Sequence, residues 1–273
     1  MFVSISLSAN RIHSVSVITL TTDFGTQDWF VGTMKGVILG IQPKAKPVDI
    51  THEIAPGDIR AGAFALMAAA PYFPKGTIHV AVVDPGVGSE RKAIAVQTKR
   101  AIFIGPDNGV LTWALRKESI LEVRQITNEK FFQRPVSRTF HGRDIFTPSA
   151  AHLSAGKKFS QVGPKINSWV KLPWPNPQHS GKSLTGEIIH IDRFGNAITN
   201  LAHDLLREDE WSKAIVVVKS RELGAPNSSY AATKPGKLLA ILSSAGFLEI
   251  AVNGGSAAKQ LKLQCGDAIK VLL

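Results

Sequence analysis

A single cysteine, Cys265, stands in this chain of 273 residues. One thiol excludes an internal disulfide and any zinc site built from several cysteines, and it favours a reducing, cytoplasmic setting. No run reaches the roughly 18 uninterrupted apolar residues that a membrane-spanning helix requires. The opening MFVSISLSANRIHSVSV has neither a basic first segment nor a compact apolar run, so residues 1–16 read as a tail rather than a signal peptide. The phosphate-binding patterns GxxxxGKS and GxxxxGKT are missing. Charged residues make up only 19% of the chain against 44% hydrophobic, which excludes a disordered polymer and fits one large domain or two smaller ones.

What charge there is leans basic. Thirty-two Lys and Arg against 21 Asp and Glu give a net +11, enough for non-specific attraction to nucleic acid. The small clusters, Lys44 with Lys46 and Lys157 with Lys158, have no interleaved aromatic platform. They read as a solvated surface, and no specific nucleic acid or membrane partner is expected.

From residue 17 to 171, short apolar runs alternate with helix-like segments, the pattern of an α/β domain with a largely parallel central sheet. VITLTTDF, TIHVAVVD and AIFIGP read as its buried strands, and polar residues at their carboxyl ends become site candidates because open α/β sheets bind ligands there. Asp28 is expected to cap a helix through WFVGTMKGVILG, with Gly32, Gly36 and Gly40 packing against the sheet. A second helix is expected over DIRAGAFALMAAAPYF. Residues 172–183, LPWPNPQHSGKS, hold three prolines in their first six positions and read as a linker. Beyond it, over 184–273, GEIIHID, AITNL, AIVVVKS, KLLAILSS, FLEIAV and AIKVLL are short strands of a smaller, mostly antiparallel, barrel-like β domain.

Four polar clusters lie in turns beside these strands. Asp23 in TTDFG can accept hydrogen bonds from a ribose diol, or simply serve the turn. In VVDPGVGSERKAI, Asp84 is followed by a Pro-Gly turn, and Arg91 can fold back onto it. His141, in RTFHGRDIF, stands at a helix entrance where an imidazole can titrate near neutrality; His152 reads as structural. In HIDRFGNAITNL, Asp192 and Asn196 flank a turn and suit a zwitterionic amino-acid group, Asp192 meeting an ammonium. Each cluster also has an ordinary structural explanation.

Together and in this order, with THEIAPGDIRAGA, IGPDNGVLTWAL and SSAGFLEIAVNGGSAA, these segments resemble the S-adenosylmethionine (SAM) hydroxide adenosyltransferase family, related to the SAM-dependent fluorinase and chlorinase. The resemblance runs from about residue 17 to the C-terminus. It implies a SAM hydrolase that releases adenosine and methionine with no cofactor and no metal, acting as a homotrimer whose active sites form between subunits. It implies that Asp23 holds the ribose hydroxyls, that Phe140 lies near the ribose and C5′, and that Asp192 and Asn196 hold the methionine portion. Ser244 and Asn253 would stand around adenine.

The choice of nucleophile turns on small differences. Where fluorinases carry YPATG, this chain has DPGVG, so an aromatic position becomes Asp84; where they carry FYS, it has FHG, so His141 and Gly142 replace a tyrosine and the halide-contacting serine. The TPWD counterpart is APGD, with Gly57. The hydrolytic branch instead carries an Asp, Arg and His set matching Asp84, Arg91 and His141. Water is therefore the expected nucleophile, with Asp84 or His141 as proton acceptor and Arg91 fixing Asp84. A SAM-dependent halogenase and a non-catalytic SAM or nucleoside sensor are the alternatives.

Overall fold

The computed structural model describes residues 17–273, so the tail expected over 1–16 lies outside the described residues. The chain falls into two compact units that divide between Lys171 and Leu172.

The first unit is an α/β layer. Its strands are β1 (Val17–Thr22), β2 (Lys46–Thr51), β3 (Ile78–Val82), β4 (Ala93–Thr98), β5 (Ile102–Pro106) and β6 (Ile120–Gln125), in sheet order β2-β1-β3-β5-β4-β6. The pairings from β2 to β5 are parallel and the two made by β4 are antiparallel. β1 and β3 are almost wholly buried, which explains why they read as continuous β-branched runs instead of alternating ones.

Helix α1 (Phe30–Ile41) turns Val31, Met34 and Ile38 to the core, an apolar stripe at helical spacing. Two expectations change here. The helix begins later than Asp28 implies: Trp29 is the N-cap, in helical conformation and without a side-chain cap bond. Gly32, Gly36 and Gly40 do not pack on the sheet, since a β-carbon built at any of them meets no atom within 4 Å. The sheet claims the larger side chains of the stripe and leaves the glycines exposed. Helix α2 (Ile59–Ala69) starts as its sequence predicts, with Asp58 accepting from the Ala61 N–H at 2.9 Å. Helix α3 (Thr147–Ser154) closes the layer and packs on α1.

The second unit is an antiparallel sheet. It comprises β7 (Gln178–Ser180), β8 (Ser183–Ile191), β9 (Ala197–Ala202), β10 (Ile215–Val218), β11 (Arg221–Glu222), β12 (Leu238–Leu242), β13 (Phe247–Val252) and β14 (Ala268–Leu272). The order is β11-β10-β14-β8-β9-β13-β12, with β7 beside β8. Leu184, Ile188, Leu201, Val216, Leu248, Ile250, Ile269 and Val271 fill its core. The segment read as a linker is irregular only through its prolines. After Pro177 every residue can donate to a ladder again, and Gln178–Ser180 pairs with β8 around a turn at Gly181. Among the described residues no helix is long and apolar enough to cross a membrane.

Candidate functional site

Parallel strands deliver their following residues to one edge of the sheet, and two of the expected residues, Asp23 and Asp84, arrive there with Gly57. Asp23 follows β1, Gly57 lies in the loop after β2, and Asp84 comes just after β3. With Phe24, Phe30, Pro56, Val82, Pro85, Val87, Thr139, Phe140, His141 and Gly142 they line a cavity of about 540 Å³. The register of β1 on β2 shifts between Leu20 and Thr21, two residues ahead of Asp23; such irregularities re-aim the residues that follow. Asp23 Oδ2 accepts the Gly57 N–H at 2.8 Å.

The Asp84 loop is tightly specified. The Val87 N–H donates to the Asp84 carbonyl and the Ser89 N–H to the Gly86 carbonyl, both at 3.1 Å. Gly88, at φ 78°, leaves no room for a side chain: a β-carbon there would stand 2.3 Å from the Arg138 carbonyl oxygen. This turn folds Arg91 back onto Asp84. Nε donates to both carboxylate oxygens at 3.0 Å, while Nη2 donates to Oδ2 at 2.5 Å and to His141 Nδ1 at 2.7 Å. The side chains of Arg91 and Asp84 are only 11% and 4% exposed, and the guanidinium lies 5.3 Å from the centre of the Phe146 ring. Arg91 is not a wall residue of the cavity, but it holds two that are.

A guanidinium offers only donors, so the nitrogen facing it must present a lone pair. His141 therefore carries its proton on Nε2, and Nδ1 is already engaged. Burial lowers the pKa of the ring, and Arg91 lowers it further; Asp84, Asp144 and a backbone bond with Ser137 act in the opposite sense without cancelling them. The sign follows: protonation places a second cation against Arg91 and breaks the bridge. Activity is expected to hold as pH falls to the ordinary histidine value of 6.5 and to fail below it. The same group contributes stability that is full above 6.5 and is lost as pH falls from there. A pH–rate profile checks the first statement, and an acid limb above 6.5 contradicts it.

His141 is held at the entrance to a π-turn, Gly142–Phe146, closed by the Thr147 N–H donating to the Gly142 carbonyl. Within it Asp144 is fully buried, accepting the Ser137 N–H at 2.7 Å and Arg143 Nε at 2.6 Å. Phe24, Phe30 and Phe140 form one wall, ring centres 5.2 to 5.9 Å apart. Gly142 is packed against it: a β-carbon there would come within 3.2 Å of Met34 Sδ and 3.3 Å of Phe140. Phe24, Phe30 and Asp144 were not singled out from sequence, although Phe24 adjoins Asp23 and Asp144 lies in the segment that carries His141.

The second unit has its own cavity, about 910 Å³, bordered by Asp192, Asn196 and Ser244 together with Phe194, Tyr230, Glu249 and Lys259. Asp192 accepts the Asn196 N–H at 2.8 Å and Asn196 Nδ2 at 3.0 Å, which fixes the carboxylate beside the turn. Phe194 is 75% exposed, a bare ring face on the cavity. Tyr230 donates to Glu249 Oε1 at 2.7 Å. Burial raises the pKa of Glu249, and it pushes the Tyr230 hydroxyl up to about 12 with help from Glu249. Tyr230 and Glu249 escaped notice because neither sits in a polar motif. Asn253 is outside this lining, its Nδ2 donating to the Thr233 carbonyl at 2.7 Å. Asn200 is likewise taken up structurally, accepting the Glu187 N–H and donating to the Pro175 carbonyl. Among the described residues no group of three or more His, Cys, Asp and Glu could hold a metal ion.

Residues 18–163 match the model of the SAM hydroxide adenosyltransferase N-terminal domain and residues 186–270 that of the C-terminal domain. The chain belongs to the SAM hydroxide adenosyltransferase family. Across this family the chain is 37% identical to the (R)-S-adenosyl-L-methionine hydrolase of Salinispora tropica, over 93% of its own length and 97% of the relative's. It is similar at 26% identity to a fluorinase from Nocardia brasiliensis, covering 93% of this chain and 96% of that one. A crystal structure of an uncharacterized conserved protein from Thermotoga maritima superposes with a TM-score of 0.87 at 38% identity, covering 94% of this chain and all of that one.

Proposed function

We propose that this protein hydrolyses SAM, placing the oxygen of water on C5′ and releasing adenosine and L-methionine. The observation that carries the reading is the Asp84–Arg91–His141 bridge on the wall of the first cavity, in the chain whose 37% identical relative is named for this hydrolysis. A sulfonium leaves as neutral methionine and needs no proton, so the enzyme's task is to position water in line with the breaking C–S bond. Asp84 accepts the proton of that water. His141, with Nδ1 committed to Arg91, orients the pair instead of serving as the base. Asp23 takes the ribose diol and Phe140 packs beside C5′. Gly142 leaves no hydroxyl where a halide would be held, and the packing around it resists adding one.

Asp192, placed by Asn196, takes the methionine ammonium, and Phe194 offers a stacking face for adenine, with Ser244 on the same cavity. SAM is itself cationic, so these carboxylates must offset the overall basic charge. Lys259 is the basic side chain of the second cavity's lining, suited to the α-carboxylate. Lys259→Gln is expected to raise KM for SAM by about 2- to 5-fold and leave KM for decarboxylated SAM unchanged. Equal effects on the two substrates would count against that contact.

The protein acts as a homotrimer in which the substrate is held by residues of neighbouring subunits, as the resemblance implies. Light scattering should then give about three times the 29.4 kDa chain mass. The lone cysteine supports a reducing, cytoplasmic setting.

Incubation with SAM and chloride in water labelled with heavy oxygen tests the reaction itself. Label in the 5′-hydroxyl of adenosine is expected. 5′-Chloro-5′-deoxyadenosine would instead favour a halogenase, and stoichiometric binding without product a sensor.

A further inference from the structure

We infer that His52, a residue outside both cavity linings, is a positioning residue that sets the carboxylate of Asp23 for the ribose diol; the inference rests on the reading of Asp23 given above.

His52 comes directly after β2, beside the end of the neighbouring parallel strand β1, and is 4% exposed. Its ring and its backbone hold the chain on either side of Asp23. Nδ1 lies 2.8 Å from Thr22 Oγ1, one residue before Asp23, in a fully buried contact. The same hydroxyl accepts the Phe24 N–H at 3.3 Å, one residue after. The His52 carbonyl accepts the Gly25 N–H at 2.8 Å. Asp23 itself is bonded to Gly57, five residues further along the His52 loop. Two anchors, at Thr22 and Gly25, thus converge on His52 from either side of Asp23, and the Phe24 amide is tied to the first of them. The chain beyond them, Thr26 to Trp29, is exposed.

The far side of the ring decides which way these bonds run. Nε2 is 3.0 Å from Asp49 Oδ1, and Asp49 Oδ2 accepts from Lys35 Nζ at 2.5 Å. Beside a carboxylate Nε2 carries the ring proton, which leaves Nδ1 as an acceptor for the Thr22 hydroxyl. That hydroxyl, its hydrogen committed to His52, turns its lone pairs to the Phe24 amide. The contact with Asp49 is an ion-pair approach without hydrogen-bond alignment, so the carboxylate sets the ring tautomer, and the directed hydrogen bonds run from the Thr22 hydroxyl to His52 and from the Phe24 amide to Thr22. The Thr22 hydroxyl thereby also seats Phe24, part of the aromatic wall.

The test compares SAM with its 2′,3′-dideoxy analogue, which lacks the diol. His52→Leu removes the Thr22 contact, whereas His52→Asn keeps a polar atom near the position of Nδ1. His52→Leu is expected to lower kcat/KM for SAM about 3- to 10-fold while leaving the dideoxy analogue within about 2-fold, and His52→Asn is expected to restore most of the loss. Asp49→Asn, at a half-exposed position, should give a smaller loss of the same selectivity and serves if His52→Leu does not fold. Equal losses on both substrates, or His52→Asn no better than His52→Leu, overturn the role of His52. A wild-type enzyme that turns over SAM but treats the two substrates alike overturns the assignment of Asp23 to the diol, and this inference with it.

Discussion

Asp84→Asn is expected to lower kcat by about 10²- to 10⁴-fold, the usual range for losing a positioned base, and to leave SAM binding measurable by calorimetry. The amide has the shape of the carboxylate but only one of its two polar atoms can accept from Arg91, so a melting curve of the variant is needed to show that the loop from Asp84 to Arg91 is still folded. What it loses is the capacity to take a proton from water. Because Asp84 is fixed by Arg91 through three hydrogen bonds, its oxygens cannot be replaced by a neighbouring group swinging into place. Asp23 is the other carboxylate of that cavity, and it is bonded to Gly57. Turnover near that of the wild type in Asp84→Asn would remove Asp84 from the chemistry.

Arg91→Met has its largest effect on stability. It strands a carboxylate whose side chain is 4% exposed and leaves His141 Nδ1 with no donor. Removing one partner of a buried ion pair costs on the order of 3–5 kcal/mol, which in a domain of this size lowers Tm by roughly 6–20 °C. The methionine retains much of the packing over Phe146, so the deficit reports charge and hydrogen bonding more than lost volume. A melting temperature within about 2 °C of the wild type would show that Asp84 is well solvated without Arg91. Taken with Asp84→Asn, this variant separates the proposed proton acceptor from the group that keeps it in place.

The division of the chain was legible because the two halves bury apolar residues differently. β1 and β3 are covered on both faces and read as continuous β-branched runs, whereas later strands such as β8 and β14 alternate buried with more open positions. Asp23 and Asp84 could be picked out because strand ends were visible, and in an open parallel sheet strand ends converge. The pairing of Arg91 with Asp84 needed only a seven-residue loop. The bridge from Arg91 to His141 spans 50 positions, and no local pattern encodes it. The same holds for His52 and Thr22, whose contact depends on β1 lying beside β2. Tyr230 and Glu249 were hidden for another reason: Glu249 occupies a strand that otherwise reads FLEIAV, where a lone acid looks like a solvent-facing residue and is in fact buried. The glycines of α1 misled in the opposite direction. Their regular spacing suggested close packing, but spacing cannot say which of two helix faces the sheet will take, and the side with Met34 and Ile38 buried more surface.

The turn at Gly142–Phe146 winds one residue wider than an ordinary helical turn. Its length is thus an angular setting. Deleting a single residue within it would let the backbone relax to regular α spacing, and everything upstream would rotate by about 100° around the helix axis relative to α3. His141 would then swing off Arg91 with its chemistry unchanged. Deleting one residue from that stretch is therefore expected to cost hydrolysis through geometry alone, with every site side chain still present.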